Sequence, residues 1–94
     1  MDWDILYDEK VIKDLESLGN VIAKRVLKAI NEKLKTNPLS AGFPLRSPLN
    51  GCRKLRVGDT RIVYQVQELS VKVIIIAVGP RRNDKVYTIA ESRV

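Results

Sequence analysis

The second half of the chain contains three runs of strand-forming residues separated by very short turns. Residues 53–57 and 61–67 alternate apolar and polar side chains, and residues 71–78 are rich in Val and Ile. A Gly-Asp turn at 58–59 separates the first two runs, and residues 68–70 separate the second from the third. Connections this short join antiparallel strands, because parallel strands need a crossover of a dozen or more residues. The pattern predicts an antiparallel meander whose third strand is covered on both faces.

The first half predicts a short strand and two amphipathic helices. Residues 3–7 alternate loosely, as a short strand does, and Asp8 is placed to cap the first helix. Gly19 ends that helix, Asn20 is placed to cap the second, and the proline at 38 ends the second helix at residue 37. The apolar stripes are Val11, Ile12, Leu15 and Leu18 in the first helix, and Ile22, Val26, Leu27, Ile30 and Leu34 in the second.

These elements predict one α+β domain spanning residues 1–94. Two helices joined by so short a connection form an antiparallel helical hairpin. The prolines and glycines of residues 37–51 predict an irregular segment there, and residues 84–94 read as a short C-terminal helix. The expected fold is an antiparallel β-sheet packed against an N-terminal helical hairpin, in the order β-α-α-β-β-β-α.

Charge divides the chain into two unequal parts. Residues 1–20 hold six acidic and two basic residues, net −4, whereas residues 21–94 hold fifteen basic and five acidic residues, net +10. A small domain with this asymmetry is typical of a protein that binds a polyanion, most often nucleic acid. One cysteine and no histidine argue against a zinc site, so we expect no metal and no cofactor. The acidic start and the short apolar runs predict a cytoplasmic protein without a membrane span.

Cationic side chains fall on one predicted face of the sheet. Because side chains alternate along a strand, Lys54 and Arg56 share a face, and Arg61 joins them across the tight turn. Arg81 comes just beyond the third strand, and Tyr87 lies six residues further on. We expect the three strand cations to converge on the free face of the sheet, with Arg81 beside them.

A cationic pocket with a tyrosine, in a chain without histidine, suits metal-free cleavage of RNA. In that reaction the 2′-hydroxyl attacks the adjacent phosphate, and charge grows on the phosphate oxygens and on the leaving 5′-oxygen. Arginine stabilises such charge through paired hydrogen bonds. A lysine whose pKa neighbouring cations lower, or a tyrosine, can take the 2′-proton. Without histidine, such an enzyme depends on its partner to position the RNA.

Each of these residues also has a purely structural interpretation. Lys54 and Arg56 can be charges on a solvated sheet face, Arg61 can pair with Asp59, and Tyr87 can be a packing residue. The lysines of the second helix fit a solvated helix face. Further candidates for contacts with an RNA backbone are Arg53, Arg82, Lys24 and Lys28.

The order of these residues resembles the RelE toxins of the RelE/ParE superfamily, the toxic halves of prokaryotic toxin–antitoxin pairs. The resemblance runs nearly end to end and is carried by GCRKLRVGDTRIVYQV at 51–66 and VGPRRNDKVY at 78–87. It implies the RelE-like fold and a metal-independent endoribonuclease that cleaves mRNA in the ribosomal A site. The products would be a 2′,3′-cyclic phosphate and a 5′-hydroxyl. It also implies a RelB-like antitoxin that can displace the C-terminal segment.

The resemblance assigns a role to each residue of the cationic cluster. It implies Tyr87 or Lys54 as the general base, Arg81 as the general acid, and Arg61 with Arg56 as the residues that hold the phosphate. Arg56 stands where lysine is common in the family, and arginine is a poor proton donor at neutral pH. Two other functions use the same scaffold or charge: inhibition of DNA gyrase by a ParE-like toxin, and RNA binding without cleavage.

Overall fold

The computed structural model describes residues 2–94, apart from the side chain of Asn83. The elements in chain order are β1 (Asp4–Tyr7), α1 (Val11–Leu18), α2 (Asn20–Ala29) with a π-helical continuation (Ile30–Leu34), α3 (Pro38–Ala41), β2 (Phe43–Pro44), β3 (Cys52–Val57), β4 (Thr60–Gln67), β5 (Lys72–Pro80), a 3₁₀ turn (Arg82–Asp84) and α4 (Lys85–Arg93). The predicted α+β class, helical hairpin, meander and C-terminal helix are confirmed.

The five strands form one sheet in the order β1-β5-β4-β3-β2. The β3-β4-β5 meander is antiparallel, as its tight turns predict. The expectation of a purely antiparallel sheet is wrong at one edge, because β1 runs parallel to β5 from Asp4 opposite Lys72 to Tyr7 opposite Ile75. The intervening elements supply the long crossover that a parallel pair requires.

The prediction of an irregular segment at 37–51 is also wrong in part. Pro38 begins the four-residue helix α3, where its missing N–H would have had no helical partner. Phe43 and Pro44 then pair with Lys54 and Arg53 of β3 as a two-residue edge strand. An edge strand tolerates proline because one side of its backbone needs no donor for the sheet.

The helical hairpin forms with a correction at the start of each helix. Lys10 rather than Asp8 occupies the cap position of α1, without a side-chain cap, and the Asp8 carboxylate instead accepts a hydrogen bond from the Lys10 N–H at 2.9 Å. Asn20 is the first residue of α2 rather than its cap, because Gly19, at φ +82°, occupies the cap position and turns the chain within a single residue. The predicted stripes are too wide: Ile12 is 62% exposed, and Ile22 and Leu27 are also exposed.

Both faces of the sheet are covered, by layers of different thickness. The helical hairpin packs on one face and makes the hairpin-side core. Its buried residues are Val11, Val26, Ile30, Leu34, Leu55, Ile62, Tyr64, Val73, Ile75 and Val78. Helix α4 and the loop before β3 cover part of the other face and make the smaller α4-side core. Its buried residues are Leu49, Cys52, Val63, Ile76, Ala77, Val86 and Ala90. The face predicted to be free is therefore partly covered by α4.

Candidate functional site

Strand alternation places the β3 cations on the α4 side of the sheet. Cys52 is buried in the α4-side core, and Lys54 and Arg56 follow it at intervals of two residues. Leu55 and Val57 point the other way, into the hairpin-side core. Lys54 is half-buried and Arg56 is exposed, so both can reach a ligand that approaches beside α4.

Arg56 and Arg61 lie directly opposite each other in the β3–β4 register. Side chains opposite each other in an antiparallel pair share a face, and like charges in that position lower stability. Arg61 is only 5% exposed, yet its Nη1 has only long contacts, at 3.5 Å, to the carbonyl oxygens of Gly58 and Thr60. The fold therefore holds a buried guanidinium beside a second one, an arrangement that an anion would stabilise.

Helix α4 brings Tyr87 over the same part of the sheet. The Lys54 Nζ lies 6.0 Å from the centre of the Tyr87 ring, at the outer limit of a cation–π contact. Tyr87 is half-buried against the α4-side core. The ammonium and the phenol are thus neighbours, as two groups that act on one substrate must be.

Arg81 and Arg82 lie at the end of β5, next to the β3–β4 turn. The Arg81 N–H donates to the Asp59 carbonyl oxygen at 2.7 Å, which ties the two segments together. Asp59, Pro80, Arg81 and Arg82 line an open cavity of about 340 Å³. Both arginine side chains are exposed, and the acidic residue Asp59 borders the basic surface.

Three of the further RNA-contact candidates lie elsewhere. Arg53 points to the hairpin side, where its Nη2 donates to the Gly42 carbonyl oxygen at 2.6 Å. Lys24 and Lys28 are exposed on α2, over the opposite face of the sheet from Tyr87, and Lys28 lies 3.9 Å from Glu32. Only Arg82 of the four is next to the cluster of Lys54, Arg56, Arg61, Arg81 and Tyr87, which we call the cationic cluster.

Burial shifts the pKa of one side chain in β3 and one in β4. It raises the pKa of the Cys52 thiol, which therefore stays neutral at physiological pH. It also raises the pKa of the Tyr64 phenol, and hydrogen bonding to the Arg53 guanidinium partly offsets that rise. Tyr64 donates to the Pro38 carbonyl oxygen at 2.8 Å, so its role is to bond α3 to the sheet.

Sequence reasoning missed one buried ion pair, between Asp14 of α1 and Arg93 of α4. The two side chains form a bidentate contact, with Nη1–Oδ2 at 2.7 Å and Nη2–Oδ1 at 3.0 Å. A signal was present, because Asp14 lies between Val11 and Leu18 on the apolar stripe of the first helix. A carboxylate at such a position needs a partner when the stripe is buried.

Neither a metal-binding group of side chains nor a membrane-spanning helix is found within residues 2–94. No three side chains among His, Cys, Asp and Glu come close enough together there to hold a metal ion. No helix in the same range is long and apolar enough to cross a bilayer. The fold and the cationic cluster define a small basic α+β protein whose cations gather on the α4 side of its sheet.

Comparison with known proteins places this architecture in a family. A family model described as the ParE toxin of the type II toxin–antitoxin system parDE matches residues 5–85. The mRNA interferase toxin RelE of Escherichia coli strain K12 is 32% identical over 88 residues, which is 94% of this chain and 93% of that protein. Toxin RelE of Mycobacterium tuberculosis is 35% identical over 69 residues, 73% of this chain and 71% of that protein.

Solved structures agree with this placement. A mutant of the E. coli toxin RelE in its free state superposes with a TM-score of 0.78 at 32% identity, covering 100% of this chain and 99% of that one. A RelBE toxin–antitoxin complex from M. tuberculosis contains a chain with a TM-score of 0.81 at 27% identity, covering 86% of this chain and 100% of that one. The chain belongs to the RelE/ParE superfamily of type II toxins and is a RelE-like member of it.

Proposed function

We propose that this toxin is a ribosome-dependent endoribonuclease that cuts mRNA in the A site and so stops translation. The observation that carries the proposal is the buried Arg61 guanidinium opposite Arg56, with Arg81 beyond the same turn. A fold accepts a buried cation beside a second cation at a cost to its stability, and a phosphate is the ligand that offsets this cost best. The similarity to the E. coli protein named mRNA interferase toxin RelE supports the same chemistry.

The proposed reaction uses the 2′-hydroxyl of the RNA as its nucleophile. Lys54 or Tyr87 takes the 2′-proton, and the 2′-oxygen attacks the adjacent phosphorus while the bond from phosphorus to the 5′-oxygen breaks. Arg56 and Arg61 stabilise the charge on the non-bridging oxygens. Arg81 stabilises the leaving 5′-oxygen and gives it a proton, which Arg81 regains from water, so that one product ends in a 5′-hydroxyl and the other in a 2′,3′-cyclic phosphate. Two weak proton-transfer groups suffice only if the partner holds the RNA in line, and we propose the ribosome for that role.

We also propose an antitoxin of the RelB type as the protein partner. Solved structures similar to this chain include an E. coli RelE mutant bound to a peptide of the antitoxin RelB, with a TM-score of 0.69 at 31% identity. A partner that displaced α4 would move Tyr87 away from Lys54 and inactivate the site. A carboxylate-rich segment would suit the cationic cluster, because charge complementarity favours such an encounter.

The decisive experiment incubates the purified toxin with programmed ribosomes and maps the mRNA ends. We expect cuts within the A-site codon, 5′-hydroxyl ends, and no comparable cutting of the same mRNA without ribosomes. Arg81→Ala should cleave about 10²–10³-fold more slowly. Lys35→Ala, which removes an exposed cation on the hairpin side, should cleave like the wild type. Equal cleavage by both variants would contradict the assignment.

A ParE-like inhibitor of DNA gyrase is the second candidate, because the matching family model is that of a ParE toxin. A supercoiling assay with purified gyrase separates the two functions. Gyrase inhibition without mRNA cleavage would establish this second function and reject the first. Binding of RNA that weakens steeply with salt, again without cleavage, would instead indicate an RNA-binding module.

A further inference from the structure

The Asp14–Arg93 pair connects three elements at one edge of β5. Both side chains are about nine-tenths buried, with 12% and 9% of their surfaces exposed. Arg93 also donates from Nη1 to the Ile76 carbonyl oxygen at 3.0 Å, and the Val78 N–H donates to the Asp14 Oδ2 at 3.0 Å. The pair therefore bonds α1 to α4 and bonds both helices to the strand between them.

The backbone of β5 explains why these two side chains are needed. Strand β1 pairs with β5 only as far as Ile75, so within residues 2–94 the edge beyond it has no neighbouring strand. The β4–β5 register also skips Ile76, because Tyr64 lies opposite Ile75 and Val63 lies opposite Ala77. Such a bulge leaves its extra residue without a ladder partner. The Arg93 guanidinium satisfies the carbonyl of Ile76, and the Asp14 carboxylate satisfies the N–H of Val78.

Helix α4 has few other means of attachment. It is nine residues long, with Val86 and Ala90 as its buried residues. Isolated helices shorter than about 12 residues are only marginally stable in water. The covalent link to β5 fixes its first turn, and Arg93 is at its last turn, so the two ends are held by different means. Tyr87 lies between the two attachments, with its ring 6.0 Å from the Lys54 Nζ.

We infer that Asp14 and Arg93 form a latch that holds α4 on the sheet and thereby keeps Tyr87 beside Lys54. Both are then positioning residues for the cleavage, a role that rests on the proposed function. The latch has a fixed polarity: α1 must supply an acceptor for the Val78 N–H, and α4 must supply a donor for the Ile76 carbonyl oxygen. An ion pair of the opposite polarity would leave both backbone groups unsatisfied.

The first test is amide hydrogen exchange, which needs no ribosome. In Arg93→Gln, exchange within α4 should speed up at least about tenfold, while exchange in β4 keeps its wild-type protection. Glu91→Gln, a change at an exposed residue of the same helix, should leave α4 protected. If Arg93→Gln unfolds the whole chain, Asp14→Asn, which retains an acceptor for Val78, serves in its place. Unchanged exchange of α4 in a folded latch variant would overturn the inference.

The second test separates positioning from a general loss of structure. At saturating programmed ribosomes, Arg93→Gln should lower kcat about 10–100-fold with little change in KM. Because the latch acts through Tyr87, adding Arg93→Gln to Tyr87→Phe should cause little further loss. A full multiplicative loss in the double variant would show that Arg93 acts independently of Tyr87 and would overturn the inference.

The third test exploits the polarity of the latch. The exchanged variant Asp14→Arg with Arg93→Asp restores an ion pair but reverses the donor and the acceptor, so we expect α4 to remain loose and kcat to remain low. Recovery of both would contradict a latch set by the β5 backbone. If the wild-type toxin cuts no mRNA at all, the proposed function fails, while the exchange measurements still decide whether the latch holds α4.

Discussion

The two faces of the sheet are built from the same strands yet serve different purposes. On the hairpin side, apolar residues fill a core of two helices and a sheet, and Tyr64 and the Arg53 Nη2 donate there to the backbone carbonyl oxygens of Pro38 and Gly42. On the α4 side, a smaller core lies beside the cationic cluster, whose basic side chains form no ion pair with a carboxylate among the residues that the structure describes. The hairpin side thus holds the larger core, and the α4 side places two like charges opposite each other.

This division follows from the alternation of side chains along a β-strand, in which every second residue faces the same layer. Alternate residues of β3 and β4 face opposite layers, so Leu55 and Ile62 lie in the hairpin-side core while Arg56 and Arg61 lie on the α4 side. The neighbouring strands can therefore carry a costly cluster of like charges without losing their hairpin-side packing. Like charges placed opposite each other break a rule of strand pairing, and such an uncompensated conflict is a sign of a functional site.

The largest effect on stability that we predict comes from a substitution on the hairpin side. Ile75 is fully buried, so Ile75→Ala should lower the free energy of unfolding by about 2–5 kcal/mol in urea titrations. Ile89 of α4 is 41% exposed, and the matched Ile89→Ala should cost no more than about 1 kcal/mol. Equal losses would mean that the two layers contribute equally to stability.

Gly42→Ala should be the next most damaging change. A methyl group at Gly42 would press against the Lys54 carbonyl oxygen and lie 2.6 Å from the Tyr64 hydroxyl. Overpacking of this kind lowers the free energy of unfolding by about 1–3 kcal/mol. The exposed neighbour Ser40→Ala is the control, measured in the same urea titration. A Gly42→Ala protein as stable as the wild type would show that α3 is not packed against the sheet as described.

On the α4 side, removal of a cation should raise the free energy of unfolding rather than lower it. Arg56→Gln relieves the like-charge pair with Arg61, so the free energy of unfolding should rise by about 0.2–1 kcal/mol while mRNA cleavage falls. Arg46→Gln, at an exposed arginine outside the paired strands, should change neither quantity. A clear loss of stability in Arg56→Gln would mean that Arg56 supports the fold rather than a ligand.

The smallest effect that we predict is the dependence of the free energy of unfolding on pH. Burial raises the pKa of Cys52 above its ordinary 9.0 and that of Tyr64 above its ordinary 10.0. A raised pKa means that the folded state keeps its proton when the unfolded chain has lost it. The free energy of unfolding should therefore be highest below pH 9 and fall as pH rises further. Cys52→Ala should delay the start of this fall to the range where Tyr64 titrates. An identical pH profile for the variant would contradict a buried Cys52 thiol.

The sequence was sufficient for the features that depend on local patterns. Tight turns at 58–59 and 68–70 set the meander, alternation sets the faces of Lys54 and Arg56, and helical periodicity sets the hairpin. The features that it missed depend on contacts between distant residues. The parallel pairing of β1 with β5 and the Asp14–Arg93 pair join residues more than 60 positions apart, and no local propensity encodes them.

The positions of the proposed RNA contacts could be predicted from the sequence only in part. Alternation alone places Arg53 on the face opposite Lys54, where it bonds to Gly42, so it was a weak candidate from the start. Lys24 and Lys28 have the right charge but lie on the hairpin layer. Net charge identifies a class of partner, whereas the register of the sheet decides which cations can act together.

The most direct test of the central claim compares the same substitution on the two faces. Tyr87→Phe should lower cleavage on programmed ribosomes by about 10²–10⁴-fold and leave stability nearly unchanged, whether the phenol takes the 2′-proton or orients Lys54. Tyr64→Phe should keep most of the cleavage activity and lose about 1 kcal/mol of stability, because it removes the buried hydrogen bond to Pro38. Wild-type cleavage by Tyr87→Phe, or loss of cleavage in a well-folded Tyr64→Phe protein, would contradict the division of roles between the two faces.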